Sequence, residues 1–323
     1  MLIAWLPPAS YRQWRDVGVR GYLPEGLADP SFRGRNASRN QAFCDLMVRT
    51  GLRLSEQTSL TRFELPDLDP TRVQVPFWLP RAVAKWGSER WVYIPAGVLR
   101  AVWDYLDLER AVAVERAQAT GVYEQLDDVL VVEDPTRPRV RIGKHWVQVA
   151  KLDLEERARV LIRTRQGLEP AMLWLTEGGL PVTARAWQRV FKDASARCNR
   201  HRVNLRAHPH MLRHSFAVIT LELLQRGHLR DLEQTHPEAR RSYQMVFGDP
   251  LRWVSIRLGH SSIEMTLKYL HTLAELELET KLALVPDDEW ELPELHPDDL
   301  AVELDSLDSD EAKDEDSEPE TEG

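Results

Sequence analysis

At 323 residues the chain has room for one large domain or two modest ones, and 43% hydrophobic residues with eleven tryptophans suit a globular protein with an ample core. No run approaches the roughly eighteen apolar residues of a membrane span, and the start MLIAWLPPAS lacks the basic opening and long apolar stretch of a signal peptide, so a soluble, cytoplasmic protein is expected. Cys44 and Cys198 form neither a metal-binding spacing nor a disulfide framework. The net charge of −9 is unevenly divided: residues 287–323 carry 18 acidic residues and one basic residue, which leaves the body at +8. A basic body with an acidic tail suits a protein that meets polyanions.

The first forty residues are rich in Arg, Gly and Pro and read as an irregular lead-in over the surface. From about Asn40 the spacing of Phe43, Leu46 and Met47 predicts a short helix stopped by Gly51, with another over Ser55–Leu60. The runs RVQVPFWLP and RAVAKWGSERWVYIP read as strands, with Gly87-Ser88 as a hairpin turn. Residues 97–120 read as helical, with Val98, Val102, Leu106 and Val112 facing inward. DDVLVVED and RVRIGKHWVQVAKL read as strands, and DLEERARVLIRTR as a helix. AMLWLTEGGLPVTARAWQRVFKDASARCNRH reads as a short strand, a Gly-Gly turn and an amphipathic helix. A helix from His210 to about Gln225 follows, then a polar connection over 226–250. A helix near 250–258, a turn at Gly259 and a helix from Ser262 to about Leu284 end the folded part. Beyond Pro286 the chain is too acidic and too poor in large apolar residues to hold a packed structure.

Several side chains suit phosphate chemistry. His210 and Arg213 stand three apart on one helix, so both point to one side. Arg53 lies at a helix–helix junction, with Glu56 positioned to orient it. Lys85 precedes the hairpin turn and could reach a leaving oxygen, with Lys144 in RIGKHW as a rival. His260 follows Gly259, and Tyr269 stands nine residues later with a potentially nucleophilic hydroxyl. Taken singly, each has an ordinary explanation as a surface charge, a cap or a packed ring. An arginine pair, however, neutralises non-bridging phosphate oxygens bidentately, and a tyrosine attacking phosphorus needs that neutralisation.

In this order, TGLRLSE, AKWGSERWVYIP, HMLRHSFA and LGHSSIEMTLKYLHT resemble the boxes of the tyrosine recombinase, or phage integrase, catalytic domain. The last box runs from Gly259-His260 through Tyr269 to His271, and the similarity spans roughly residues 36–285. The resemblance implies a mainly α fold with a small antiparallel β-sheet, a catalytic domain over 36–286 that follows the lead-in over 1–35 and precedes the acidic tail over 287–323, whose composition predicts disorder. It implies a site-specific recombinase acting on double-stranded DNA as a homo-tetramer on synapsed sites, without membrane, cofactor or metal. Tyr269 would attack a DNA phosphate to form a 3′-phosphotyrosyl link, with Arg53 and Arg213 clamping the oxygens. Lys85 would protonate the departing 5′-oxygen, His210 would assist proton transfer with Tyr269, and His260 would bond the phosphate. A second strand's 5′-hydroxyl would then reverse the step.

About fifty residues precede Arg53, too few for the family's N-terminal core-binding domain, which is therefore expected to be absent. Two other readings share the residues: a non-cleaving DNA-binding remnant, and a type IB topoisomerase, which the wording LGHSS fits less well.

Overall fold

The computed structural model of the chain describes residues 4–234 and 249–282, and of 226–234 and 275–282 the backbone alone. The chain divides into two units, Met1–Leu273 and Ala274–Gly323; the side chains suited to phosphate chemistry belong to the first.

The lead-in is irregular over residues 20–36, as expected, but residues 8–19 form a helical segment. Helix α1 (Pro8–Trp14) opens on a proline, whose fixed φ suits a first turn, and a π-turn over Arg15–Val19 continues it. Leu6, Tyr11, Trp14 and Val17 are buried at near-helical spacing. The Trp14 ring stacks on Phe191 at 5.4 Å between centroids, and its indole N–H donates to Ser195 Oγ at 3.2 Å. The Leu6 N–H donates to Ser215 Oγ at 2.8 Å. Proline, glycine and arginine masked this apolar set because its partners lie far along the chain.

Helix α2 (Ala37–Thr50) ends at Gly51, whose φ of 67° is the left-handed cap that glycine adopts without cost. A Cβ there would fall 2.4 Å from the Phe216 ring, so the close approach of α2 also requires glycine. Helix α3 (Leu54–Thr58) follows at once. Strands β1 (Gln74–Leu79) and β2 (Arg90–Pro95) pair antiparallel, Leu79 opposite Arg90. Their connection is not the tight Gly87-Ser88 turn but the whole of residues 80–89, with a short 3₁₀ turn over Lys85–Gly87.

Helices α4 (Ala96–Tyr105) and α5 (Ala111–Ala119) are joined by a π-turn over Leu106–Arg110. Val102 and Leu106 are buried as expected, but Val112 is 53% exposed, and Ala113, Val114 and Ala117 face inward instead. The wider π-turn adds a residue and rotates the inward face, which simple 3.6 periodicity does not anticipate.

Strands β3 (Leu130–Val132), β4 (Arg139–Ile142) and β5 (His145–Gln148) precede helix α6 (Leu154–Ala158). The helix expected over DLEERARVLIRTR splits here. Asp153 caps α6 by accepting from the Glu155 and Glu156 N–H groups, and the β-branched Val160 and Ile162 then enter strand β6 (Val160–Arg163). Strand β6 lies between β3, parallel to it, and the antiparallel β7 (Leu168–Pro170). The class is thus mainly α with small sheets, one of which contains a parallel pair in place of an all-antiparallel arrangement.

Helix α7 (Ala184–Arg200) starts at the Thr183 cap, and α8 (Pro209–Gln234) runs nine residues past its expected end. Residues 235–248, the rest of the expected polar connection, lie outside the described residues. Helices α9 (Pro250–Leu258) and α10 (Glu264–Leu282) flank Gly259, and the acidic tail also lies outside the described residues. Phe43 stacks on Trp187 at 3.5 Å within the main core, which joins α1, α2, the β1–β2 hairpin and α7. A second cluster of Phe216, Val218, Leu221, Val254, Leu258 and Tyr269 joins α8, α9 and α10. That cluster positions the site.

Candidate active site

Two glycine caps present the carbonyls that hold the arginines. Arg213, 3% exposed on the first turns of α8, donates from Nη1 to the Gly51 carbonyl and from Nη2 to the Leu258 carbonyl, each at 2.5 Å. Arg53, at the start of α3, donates from Nη2 to the Gly259 carbonyl at 3.2 Å. Gly259 has φ 61°, and a Cβ on it would meet Ser88 Oγ at 2.9 Å and Arg90 Nη1 at 3.0 Å. The ends of α2 and α9 thus turn their C-terminal carbonyls, the negative ends of helix dipoles, toward two guanidinium groups. Burial and the neighbouring Arg53 both push the Arg213 pKa down. The carbonyls and the nearby Glu56 oppose that pressure. A guanidinium has five N–H donors, so both arginines keep donors free of these bonds for a ligand.

Glu56 is the anion at the centre of this frame. It is fully buried, bonds Arg53 Nη1 at 2.9 Å through Oε1 and Arg90 Nη2 at 2.7 Å through Oε2, and accepts the Arg53 N–H at 2.9 Å. Burial alone would raise its pKa; the hydrogen bonds and charge of Arg90, then Arg53, override burial and hold it at about 2. The expectation that Glu56 orients Arg53 agrees with this geometry. Arg90 also donates from Nε to the Arg257 carbonyl at 2.9 Å, tying β2 to α9.

Arg53, His210 and Arg213 line one cleft of about 420 Å³, together with Gln188, Lys192 and His208. Tyr269, His260 and Lys85 stand outside that lining. Tyr269 is only 1% exposed, and its hydroxyl lies 2.9 Å from Nδ1 of His214. Burial raises its pKa, while Arg213 and Arg53 act in the opposite sense, which places both cations within electrostatic reach of the phenol. The His260 ring lies nearly parallel to Tyr269 at 6.2 Å, with Nδ1 2.8 Å from Thr266 Oγ1. Burial, then Arg213 and Arg53, lower the His260 pKa to about 3. His210 contacts the His214 ring edge-on at 4.6 Å, and burial followed by Arg213 lowers its pKa as well.

Lys85 is exposed, with Nζ 4.6 Å from the centroid of the Trp86 ring, and its backbone N–H points at Glu56 Oε1 from 3.5 Å. The hairpin tip is therefore anchored beside the arginine frame while the ammonium stays outside it. Lys144 is exposed in the turn between β4 and β5, and His271 is exposed on α10.

Two members of the cluster escape a search for familiar boxes. His214 stands four residues after His210 on one helix, a spacing that places both rings on one face and was visible in HMLRHSF. Arg90 occupies an inward position of β2, where Val92 and Ile94 are also buried and Trp91 and Tyr93 point outward. A charge on the buried face of an alternating strand requires a partner, and that partner is Glu56.

The description of the phage integrase family matches residues 28–234, about two thirds of the chain, and the chain belongs to that family. Among solved structures it is similar to the XerH site-specific recombinase bound to palindromic difH substrate in a post-cleavage complex. The identity there is 16% and the TM-score 0.47, over 88% of this chain and 53% of that one. It is also similar to the XerA recombinase (14%, TM-score 0.43, 86% and 64%) and to the Tn1549 transposon integrase in complex with circular intermediate DNA (16%, 0.44, 94% and 66%). The chain spans between about half and two thirds of the length of these proteins. No curated protein matches it. Among the described residues, no helix is long and apolar enough to cross a membrane.

Proposed function

We propose that this chain is a site-specific recombinase that cleaves and rejoins double-stranded DNA through a 3′-phosphotyrosyl bond on Tyr269. The observation that supports it best is the convergence of Arg53 and Arg213 on one cleft, with the Tyr269 hydroxyl held at the residue that follows Arg213. A phosphodiester in that cleft would meet two guanidinium groups already tied in place by backbone carbonyls. Charge developing on its oxygens would then be stabilised without reorganisation, and loss of one such donor typically costs about 3–4 kcal/mol of barrier.

In this reading Tyr269 attacks phosphorus, Arg53 and Arg213 clamp the non-bridging oxygens, and Lys85 protonates the departing 5′-oxygen. For that last step the ammonium must swing from the Trp86 ring into the cleft, a motion open to an exposed side chain at a loop tip. The expected division of labour between two histidines is here reversed: His210, which lines the cleft, serves the phosphate, and His260, stacked near the tyrosine ring, serves the nucleophile's side. Recombination between two duplexes calls for four copies of this chain in the cell's cytoplasm, each supplying one tyrosine.

The test is a pool of nicked duplexes with randomised sequence around the nick, designed so that cleavage releases a short fragment and traps the covalent product. Recovery of protein–DNA adducts that disappear with Tyr269→Phe is expected. Adducts that persist in Tyr269→Phe would reassign the nucleophile, and none from the unaltered chain would leave DNA cleavage without support. Sedimentation of the recovered duplex with protein at a four-to-two ratio would test the tetramer.

A further inference from the structure

The Tyr269 hydroxyl has one described side-chain partner, Nδ1 of His214 at 2.9 Å. Nothing in the roles above uses that imidazole. It is held on three sides: by the helix it shares with Arg213, by the edge of His210 at 4.6 Å, and by the Tyr269 ring at 5.6 Å. The charged and titratable groups facing it are His208, His210 and Arg213 from α8, and Lys268 and Tyr269 from α10. Every cation in that set opposes a positive imidazolium, and burial does so first, so His214 rests neutral, with a pKa near 3. A neutral imidazole has one acceptor nitrogen. With the proton on Nε2, Nδ1 accepts from the tyrosine hydroxyl.

We propose that His214 is the proton acceptor for Tyr269, a catalytic residue of the strand-cleaving step; this rests on the function proposed above. As the Oη–P bond forms, the proton on Oη passes to Nδ1 of His214. The P–O5′ bond breaks, and the 5′-oxygen takes a proton from Lys85. Rejoining runs backward: the incoming 5′-hydroxyl returns its proton to Lys85, the O5′–P bond forms, and Oη leaves phosphorus with the proton from His214.

A neutral phenol does not surrender its proton to so weak a base in the resting site, since its own pKa is raised. Two changes on substrate binding reverse the balance. A phosphodiester in the cleft brings negative charge to Arg213, one of the cations that hold His214 neutral. Once Oη begins to bond phosphorus, its proton becomes strongly acidic. The resting hydrogen bond thus keeps the tyrosine protonated and unreactive until a phosphate arrives, and the same bond then carries the proton away.

The experiment follows single-turnover adduct formation on the nicked duplex recovered in the pool selection. His214→Asn keeps an acceptor oxygen near the position of Nδ1, so the tyrosine stays held, but an amide cannot take up a proton. A melting midpoint near that of the unaltered protein with a rate reduced about 10²–10⁴-fold is expected. Difluorotyrosine at residue 269, whose phenol ionises at lower pH, should restore most of that rate in the Asn variant and move the rate–pH profile of the variant to lower pH. A rate within threefold of the unaltered protein would overturn the proposal, as would a slow variant that the fluorinated phenol fails to rescue. His214→Gln, read the same way, serves if the Asn variant does not fold. Failure of the function itself looks different, because the unaltered protein would then give no adduct.

Discussion

The arginine frame and the β1–β2 hairpin tip touch at Glu56 yet are built in opposite ways. In the frame, Arg53, Arg90 and Arg213 are tied to Glu56 or to helix-end carbonyls, and Arg90 and Arg213 are almost wholly buried. At the tip, Lys85 is exposed over a Trp86 ring that is itself 79% exposed and sits at φ 57°. Groups that bind charge in a transition state gain from rigidity, because no reorganisation is left to be done at the moment of reaction. A group that delivers a proton to a leaving oxygen must instead arrive after the substrate does. The contrast matches the two roles proposed for them.

The comparison breaks most readily at Glu56. Glu56→Gln removes the one carboxylate shared by Arg53 and Arg90 and leaves buried guanidinium charge uncompensated, so a loss of about 3–5 kcal/mol is expected in denaturant titration. A change below about 1 kcal/mol would mean that the carbonyls alone hold the frame.

Acid should loosen the frame in two stages. The His214 and His260 pKa values are lowered by folding, so the stability tied to their neutral forms is present above the ordinary value of about 6.5 and lost as pH falls toward 3. The Glu56 pKa is lowered from 4.5 to about 2, so its contribution, about 3 kcal/mol at most, is present above pH 4.5 and lost on descent through 2. Melting midpoints across this range should fall in both windows, and Glu56→Gln should shrink the lower one without abolishing it, because Asp29, held low by its hydrogen bonds to Ser31 and Arg197, also titrates there.

The smallest effect belongs to the tip. A left-handed conformation costs a non-glycine residue about 1–2 kcal/mol, so Trp86→Gly should raise stability by about 1 kcal/mol once the added freedom of glycine in the unfolded chain is discounted. Loss of stability in that variant would show that the exposed ring packs more firmly than its 79% exposure indicates.

Much of this was legible in the chain. Gly51 and Gly259 were read as helix stops from position alone, and both prove to be left-handed caps. Arg53, His210 and Arg213 were singled out one by one and share a cleft. The burial of Trp14 against Phe191 was not legible, nor were the strand inside DLEERARVLIRTR and the outward turn of Val112. In each case a partner distant in sequence, or a π-turn, overrode the local pattern.

Local physics thus decided what the backbone can do residue by residue: where glycine permits a left-handed cap, where Asp153 or Thr183 starts a helix, and which positions carry charge. Only tertiary packing decided which charges meet. Glu56 and Arg90 lie 34 residues apart, Arg213 and Gly51 lie 162 apart, and His214 and Tyr269 lie 55 apart. A polar group removed from water must find a partner, and which partner it finds depends on how α2 packs on α8 and how α8, α9 and α10 pack around their shared apolar cluster.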